Sequence, residues 1–392
     1  MTTINFQVEA QAMREELIAR RRDFHRHPEL AFEEVRTAGI VAQALAELGL
    51  EVQSGVGKTG VVAMLDGAQD GPTVLVRADM DALPIQEANQ ADYASAYAGK
   101  MHACGHDGHT AIALGVAKLL SAHRNKLAGR VKFVFQPAEE VAGGAKAMIA
   151  DGVLTNPRPD VTLGLHLWNS MPLGTLGVAD GPVMAAASDF VITIRGRGGH
   201  GAVPQLAYDP IVAGAQVVSA LQTIASRSAD PLDHVVVSVC QFHSGSASNV
   251  IPETATLTGT FRTFRRPVRD LVEARMNEIV VGVARSLGCQ ADIRITHHTE
   301  PVSNDPQAAA RARAAFQRLG HDHFVYERTM GSEDVGFLMT DIPGMYFFLG
   351  SANSERDLDH PHHHPRFDFD EEALPLGVAL LSAAVADYLL VE

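Results

Sequence analysis

The pattern of hydrophobic and polar positions is helical at the start of the chain. Residues 7–26 carry an apolar stripe that includes Leu17 and Phe24, and this segment ends near His27-Pro28. A second helical pattern covers residues 33–48 and ends at Gly49. The pattern therefore predicts two helices before any strand.

After residue 49 the period changes from helical to strand-like. Short apolar runs bounded by Gly, Asp and Pro predict strands at residues 60–65, 73–79 and 130–136. A helix is predicted between the last two strands, at residues 107–122. This alternation is typical of an α/β domain with a largely parallel sheet. The same pattern returns after about residue 300, with a core strand at 345–350 and a final helix at 371–390. We therefore predict one discontinuous domain, residues 1–185 and 299–392.

The segment between these two parts has a different pattern. Residues 186–298 contain alternating strands with one polar face, two helices and a glycine cluster at 196–201. Such a combination predicts a separate α+β unit with a ferredoxin-like, split β-α-β arrangement, inserted into the first domain.

Polar side chains follow three of the predicted buried strands. Residues 73–79 lead into Asp79-Met80-Asp81, residues 131–136 into Pro137-Ala138-Glu139-Glu140, and residues 161–165 into His166. Because the carboxyl ends of parallel strands meet at one edge of a sheet, chemistry collects there. We expect these side chains to lie close together.

The stretch Met101–His109, MHACGHDGH, contains the groups that bind a borderline transition metal. Cys104 and His106 place a thiolate and an imidazole two residues apart, and Gly105 between them frees the backbone to turn. The alternative is a polar helix start, capped by Asp107 or Thr110. Both interpretations are compatible, since helix starts often hold ligands.

The other polar positions also have two interpretations. Glu139 and Glu140 can supply a general base and a metal ligand, or form a solvated acidic loop. His166 is a ligand or a core histidine, and the tract His360, His362, His363 and His364 is a ligand source or a solvated loop. Asp79 and Asp81 are turn carboxylates, or they orient histidine ligands from behind. A mixed sulfur, nitrogen and oxygen set argues against Mg or Ca and for Zn, Mn, Ni or Co.

Composition narrows the function classes. A chain of 392 residues is too long to fold around one hydrophobic core of ordinary size, which indicates more than one domain. A net charge of -14 argues against a nucleic-acid partner. Three widely spaced cysteines form no disulfide framework. No signal-peptide pattern and no membrane-length apolar stretch are present, so we expect a soluble, cytoplasmic protein.

Taken together, the motifs resemble the dinuclear metallo-amidohydrolases that include hippurate hydrolase, bacterial aminoacylases and plant auxin-conjugate hydrolases. The resemblance spans nearly the whole chain and rests on RADMDALP (77–84), MHACGHDGHT (101–110), FQPAEE (135–140), GLHLW (164–168), GRGGHGA (196–202), SNVIPETATLTGTFRTF (248–264), GSEDVGF (331–337) and HHPRFDFDEE (363–372). It implies a zinc-exopeptidase-like catalytic domain with two metal ions and an inserted lid that often dimerises.

The resemblance also implies roles for individual residues. The metal ligands would be Cys104 (bridging), His106, Glu140, His166 and His363, the last because the family places a histidine two residues before Pro365. Glu139 would be the general base and His200 an oxyanion or substrate contact that reaches the partner subunit. Asn249 and Arg262 would lie near the substrate, with Arg262 binding its carboxylate.

The implied reaction is hydrolysis of N-acyl amino acids, either N-benzoyl (hippurate-like) or N-acetyl, by metal-activated water. The cofactors would be two divalent ions per subunit (Zn, Mn, Ni or Co), and the assembly a homodimer or a higher homo-oligomer formed through the lid. Alternatives are a metallo-carboxypeptidase or dipeptidase, and a non-catalytic metal-binding protein, which would not need both Glu139 and Glu140. Gln205 and Val335 depart from the family pattern at positions expected near the substrate.

Overall fold

The structure is a computed structural model that describes residues 4–390. In chain order, helices α1 to α10 span Phe6–Ala12, Arg14–Arg26, Val35–Glu47, His106–Ala122, Gly144–Ala150, Pro210–Thr223, Arg266–Ser286, Pro306–Arg318, Val335–Leu338 and Ala373–Leu389. Strands β1 to β16 span Glu51–Val56, Gly60–Asp66, Gln69–Asp79, Ala128–Gln136, Val161–Pro172, Leu176–Gly177, Gly181–Met184, Ala186–Arg195, Gly199–His200, Val235–Ser244, Val250–Ile251, Thr254–Thr263, Gln290–His297, Val302–Asn304, Phe324–Val325 and Gly344–Ala352. Between residues 4 and 390, no helix combines the length and the apolar character that crossing a membrane requires.

The described chain forms two compact units. The second unit comprises Met184–Val302 and Thr329–Glu333, and the remainder forms the first unit. The short return of Thr329–Glu333 was not anticipated, because nothing in its composition separates it from the flanking residues. The role of the second unit as a lid stays a prediction.

An eight-stranded sheet, in the order β1-β2-β4-β3-β5-β16-β6-β15, organises the first unit. Its centre is parallel, because β3 pairs in parallel with β4 and β5, and β16 with β5. Strands β1 and β2 add an antiparallel edge. Helices α4 and α10 are buried along most of their length against this sheet. The predicted α/β class is confirmed, but β1 was missed because EVQSGV is mostly polar and buries only Val56.

Two local predictions were wrong. The helix predicted over residues 7–26 is two helices that break at Met13, where the backbone leaves helical geometry. The predicted capping of α4 by Asp107 or Thr110 is also wrong, because the helix already begins at His106 and Gly105 occupies the cap. Thr110 instead donates a hydrogen bond to the main-chain oxygen of Asp79 at 2.7 Å. His106 is therefore part of helix α4 rather than of the preceding loop.

The second unit contains a four-stranded sheet in the order β10-β12-β8-β13. Strand β12 is antiparallel to both of its neighbours, β8 and β10, and helices α6 and α7 complete a β-α-β-β-α-β sequence. This order confirms the predicted split β-α-β arrangement. A separate two-stranded ribbon is formed by β9 and β11.

Candidate metal centre

Two segments bring a sulfur and two imidazoles together in the first unit. Gly105 has a φ of 90°, which glycine adopts without strain, and this turn places Cys104 before α4 and His106 within it. His166 comes from β5, and its Nε2 lies 3.6 Å from the Sγ of Cys104. The ligand atoms of Cys104, His106 and His166 all lie within 4.8 Å of one another. The predicted convergence of these three residues is therefore present in the structure.

Hydrogen bonds behind both histidines direct Nε2 toward the cluster. The Nδ1 of His106 donates to the main-chain oxygen of Asp81 at 2.9 Å, and the Nδ1 of His166 donates to that of Leu167 at 2.6 Å. In the neutral rings these bonds leave the lone pair on Nε2. The Nε2 of His106 is buried without a hydrogen-bond partner. Such an arrangement costs free energy unless a further group, such as a cation, binds there.

Glu140 and His363 complete the cluster. Cys104, Glu140 and His363 form a second group within 4.8 Å, and the Nε2 of His363 lies 3.5 Å from the Oε2 of Glu140. The Oε1 of Glu140 is buried without a hydrogen-bond partner and lies 3.9 Å from the Nε2 of His106. Thiol, imidazole and carboxylate groups are the donors that Zn and related divalent transition metals bind, so these residues fit the predicted ions, Zn, Mn, Ni or Co.

The pKa shifts indicate a buried site that is rich in negative charge. Burial, together with the charge on Glu140, raises the pKa of the Cys104 thiol well above its usual range. Burial also raises the pKa of Glu140 to about 7, although the charge on His106 opposes the shift. Burial and the neighbouring His109 hold the pKa of His166 well below its usual range, which keeps this ring neutral. A divalent cation would favour the deprotonated thiol and carboxylate and would bind the neutral imidazole.

The structure distinguishes the candidate histidines from their neighbours. His109 has both nitrogens engaged, because Nδ1 donates to the Oδ1 of Asp79 at 2.7 Å and Nε2 accepts from the Leu167 amide at 2.9 Å. In the His360–His364 tract, the Nε2 of His362 donates to the main-chain oxygen of Leu167 at 2.9 Å. His360 stacks on His364, with ring centroids 4.7 Å apart. His363 is the member of this tract that groups with Cys104 and Glu140.

The loop after β4 turns both glutamates toward the same centre. The side-chain oxygens of Glu139 and Glu140 lie within 4.8 Å of a nitrogen of His106. This turn needs Gly144, where a Cβ would come within 1.5 Å of the main-chain oxygen of Pro137. Buried carboxylates hold the loop, since Glu34 accepts from the Ala138 amide at 2.8 Å and Asp81 from the Glu140 amide at 3.0 Å. Asp81 thus supports both His106 and Glu140, as an orienting residue would.

Asp79 belongs to a buried network that sequence reasoning missed. The Nη1 of Arg77 donates to the Oδ2 of Asp79 at 2.5 Å, and its Nη2 donates to the Oδ1 of Asp334 at 3.1 Å. The main-chain amide of Asp334 lies 3.3 Å from the Oε1 of Glu139 and donates to it. Burial opposes ionisation, but the charges on His106 and Arg77 hold the pKa of Asp79 well below its usual range. An arginine inside the apolar run TVLVRAD was the available signal.

The three predicted substrate contacts of the second unit lie at two places. His200 pairs with Val250 in the β9–β11 ribbon, and the amide of Gly201 donates to the main-chain oxygen of Asn249 at 2.8 Å. The structure therefore brings His200 and Asn249 together. Strand β12 begins at Thr254, which pairs with Arg195, the last residue of β8. Arg262 lies eight positions further along β12, near its other end. At about 3.3 Å per residue this separation is about 26 Å.

The match to a family model decides what kind of protein carries this centre. Residues 75–387 match the model of the peptidase family M20/M25/M40. The chain belongs to this family. It is a metal-dependent amidohydrolase of α/β fold, as the motifs predicted.

Curated relatives share most of their length with this M20 chain. It is 41% identical to an N-acetylcysteine deacetylase of Bacillus subtilis over 92% of this chain and 93% of the relative. It is 40% identical to the IAA-amino acid hydrolase ILR1-like 4 of Arabidopsis thaliana, over 95% and 86%. It is 37% identical to the thermostable carboxypeptidase 2 of Saccharolobus solfataricus, over 94% of each.

A solved structure of the same family supports the architecture. The YXEP protein of Bacillus subtilis, described as a dinuclear metal binding peptidase from the M20 family, superposes with a TM-score of 0.85 at 38% identity. The alignment covers 96% of this chain and 99% of that protein. The individual ligand and catalytic roles in this M20 chain stay predictions.

Proposed function

We propose that this M20 enzyme hydrolyses the amide bond of N-acyl amino acids and releases a carboxylic acid and a free amino acid. The observation that carries the proposal is a mixed donor set, with buried, unpartnered atoms on His106 and Glu140, beside a further carboxylate on Glu139. Two relatives, named a deacetylase of N-acetylcysteine and a hydrolase of IAA-amino acids, support the substrate class.

Five residues would hold two divalent ions. These are Cys104, which would bridge the ions, and His106, Glu140, His166 and His363. Bound ions would polarise the amide carbonyl and lower the pKa of the attacking water. The donor set suits Zn, Mn, Ni or Co rather than Mg or Ca.

Glu139 is the proposed general base. Its carboxylate is directed to the same centre as Glu140, and the amide of Asp334 orients it at 3.3 Å. It takes a proton from the attacking water and passes it to the leaving nitrogen, so that a neutral amine departs. Glu140 would be committed to binding a metal ion, which explains why adjacent carboxylates are both needed.

His200 is suited to stabilise the oxyanion of the tetrahedral intermediate. Its Nδ1 accepts a hydrogen bond from the Ala202 amide at 3.1 Å, so the neutral ring carries its proton on Nε2. That Nε2–H donates to the developing negative charge. Asn249 lies beside His200 and would contact the same part of the substrate. Arg262 would bind the substrate carboxylate through its two-pronged guanidinium.

The separation within the second unit supports a homodimer with shared active sites. Arg262 lies about 26 Å along β12 from Thr254, and the β9–β11 ribbon that carries His200 follows β8 at that Thr254 end, so an N-acyl amino acid is too small to contact both residues of one chain. We propose that His200 and Asn249 serve the centre of the partner subunit. Strand β10 is an edge strand with exposed apolar residues such as Val236 and Phe242, and a second copy could pair with it.

We place the enzyme in the cytoplasm. Cys104, Cys240 and Cys289 are all free thiols in the structure. A proposed metal ligand such as Cys104 must stay reduced to bind, which suits a reducing compartment.

A carboxypeptidase activity is the second candidate, because one relative carries that name. Both activities use the same metal chemistry and differ in the group attached to the nitrogen side of the substrate. A preference for substrates with a free amino group would favour the carboxypeptidase or a dipeptidase.

The test is release of free amino acid from N-benzoyl, N-acetyl and indole-acetyl amino acids and from plain dipeptides. Each substrate is assayed before and after chelation, with Zn, Mn, Ni or Co added back. We expect turnover on acylated substrates that chelation removes and one of these metals restores. Metal-loaded protein without turnover on any substrate would contradict the proposal, and turnover on dipeptides alone would replace it with the second candidate.

A further inference from the structure

Arg21 is a buried cation that the proposed chemistry does not use. It lies in the middle of α2, is 0% exposed, and its guanidinium contacts three carboxylates. Nε donates to the Oδ2 of Asp107 at 2.8 Å, Nη2 to the Oδ1 of Asp368 at 2.7 Å, and Nη1 to the Oε1 of Glu371 at 3.3 Å. Burying so many charges is costly, so the position calls for an explanation beyond packing.

The hydrogen bond from Nε of Arg21 reaches the first turn of α4. Asp107 directly follows the proposed ligand His106. Its second oxygen, Oδ1, accepts a hydrogen bond from the Gly108 amide at 2.9 Å, which ties the carboxylate to the helix backbone. The Nδ1 of His25 also donates to Asp107, at 2.8 Å. Any displacement of Asp107 would therefore move the segment that carries His106 and Cys104.

The hydrogen bond from Nη2 of Arg21 to Asp368 reaches the segment that carries His363. Asp368 lies five positions after His363, and the hydroxyl of Tyr93 donates to its Oδ2 at 2.6 Å. The side chain of Asn169 donates to the main-chain oxygen of Asp368 at 2.7 Å and to that of His360 at 3.0 Å. Asn169 is itself three residues beyond His166 on β5. Through Asp368 and Asn169, Arg21 is thus linked to the segments that carry the other two proposed histidine ligands, His363 and His166.

We propose that Arg21 is a positioning residue of the metal centre. Its planar guanidinium joins the segment of Cys104 and His106 to the segment of His363 and fixes the spacing between these proposed ligands. The inference rests on the proposed metal centre, but not on the identity of the substrate. The rings of Tyr93 and Phe369 lie 5.1 Å and 4.3 Å from the guanidinium carbon and limit its movement.

The test compares Arg21→Lys with Arg22→Lys. Lysine keeps the positive charge of Arg21, but its single ammonium cannot hold Asp107 and Asp368 in one plane. Arg22 is the matched control, because it follows on the same helix and bonds Glu371 at 2.9 Å and 2.6 Å, while its side chain is 39% exposed. The readouts are Zn²⁺ affinity by competition with a chelator, bound Zn²⁺ per chain, and the visible spectrum of the Co²⁺-substituted protein.

We expect Arg21→Lys to weaken Zn²⁺ binding by about 10- to 100-fold, the range found for groups that orient metal ligands, and to change the Co²⁺ spectrum. Arg22→Lys should match the wild type in both. Melting in excess chelator reports folding separately. A merely structural role would lower the melting temperature and leave the Zn²⁺ affinity of the folded protein unchanged, and that result would overturn the proposal.

A second variant covers the case in which Arg21→Lys does not fold. Asp368→Asn keeps the shape of the side chain and weakens only the contact that links Arg21 to the segment of His363. We expect a selective loss of one Zn²⁺ per chain. Wild-type affinity and stoichiometry in this folded variant would overturn the proposal. Because these readouts measure metal binding, wild-type protein that binds two ions without hydrolysing any acyl amino acid would contradict the proposed function alone.

Discussion

The two units of the chain use polar residues in different ways. In the first unit, buried charged groups such as Arg21, Arg77, Asp79 and His106 form networks at the carboxyl end of the sheet. In the second unit, buried polar side chains are mostly uncharged, such as Ser188, Thr263 and Thr299, and ion pairs such as Arg195–Asp292 are exposed. Burying charge is costly unless the charges are paired or bind a metal. We therefore expect that replacing the proposed metal ligands, or the buried charged residues that position them, changes metal binding in the first unit, whereas replacing polar residues of the second unit changes turnover alone.

The strongest test of this comparison is Cys104→Ala. We expect loss of bound metal and of all metal-dependent turnover, because Cys104 would supply the one thiolate ligand of the proposed centre. Metal analysis after dialysis measures the first effect and amino acid release the second. Cys240→Ala is the control, since Cys240 is an exposed cysteine of the second unit. Full metal content in Cys104→Ala would remove Cys104 from the ligand set.

Glu139→Gln should separate the two adjacent carboxylates. We expect kcat to fall by about 10² to 10⁴-fold, the range for loss of a general base, while both ions stay bound. Metal analysis and steady-state kinetics on the same preparation provide the measurement. Glu33→Gln is a suitable control, because the Glu33 side chain is 60% exposed and pairs with Lys100 at 2.9 Å. If Glu139→Gln lost metal instead, Glu139 would be a ligand and the base would lie elsewhere.

The sequence predicted the parts of this centre that are local. Cys104 and His106 share one short segment, Glu139 and Glu140 follow a recognisable buried strand, and His166 lies within another, β5. The choice of His363 among four histidines needed the family resemblance, because spacing alone leaves them equivalent. Arg21 could not be predicted, since its contacts span 86 positions to Asp107 and 347 to Asp368. In sequence it is one of several arginines on a charged helix.

His200→Ala tests the second unit. We expect kcat to fall by about 10² to 10³-fold, as for loss of an oxyanion donor, with metal content and melting temperature unchanged. His234→Ala, at an exposed histidine of the same unit, should leave all three measurements unchanged. A loss of metal in His200→Ala would break the distinction between the two units.

A mixed dimer tests which centre His200 serves. When His200→Ala and Glu139→Gln chains are co-expressed with different tags and the mixed dimer is isolated, a partner-directed His200 leaves one centre with both residues intact. We expect the mixed dimer to be far more active than either parent variant. Activity no higher than that of the parents would place His200 in the centre of its own chain.

The smallest expected effect is a pH dependence of stability in the buried network of the first unit. Burial and the charge on Arg21 act to lower the pKa of His25, but its hydrogen bonds to Asp107 and Glu87 outweigh them and raise it to about 9. Because the folded protein holds this proton more tightly than the unfolded chain, the contribution is fully present below about pH 6.5 and is lost as pH rises through 9. The shift corresponds to at most about 3 kcal/mol of unfolding free energy.

His25→Gln isolates this contribution. Urea unfolding in excess chelator, compared at pH 6 and pH 9.5, should show a larger loss of stability with rising pH in the wild type than in His25→Gln. Taking the difference between the two proteins cancels other groups that titrate in this range, such as Lys132, whose pKa burial lowers to about 8. The exposed His234→Gln should follow the wild type. Equal slopes in His25→Gln and the wild type would show that His25 is neutral in the folded protein, and the network around Asp107 would then depend on Arg21 alone for its positive charge.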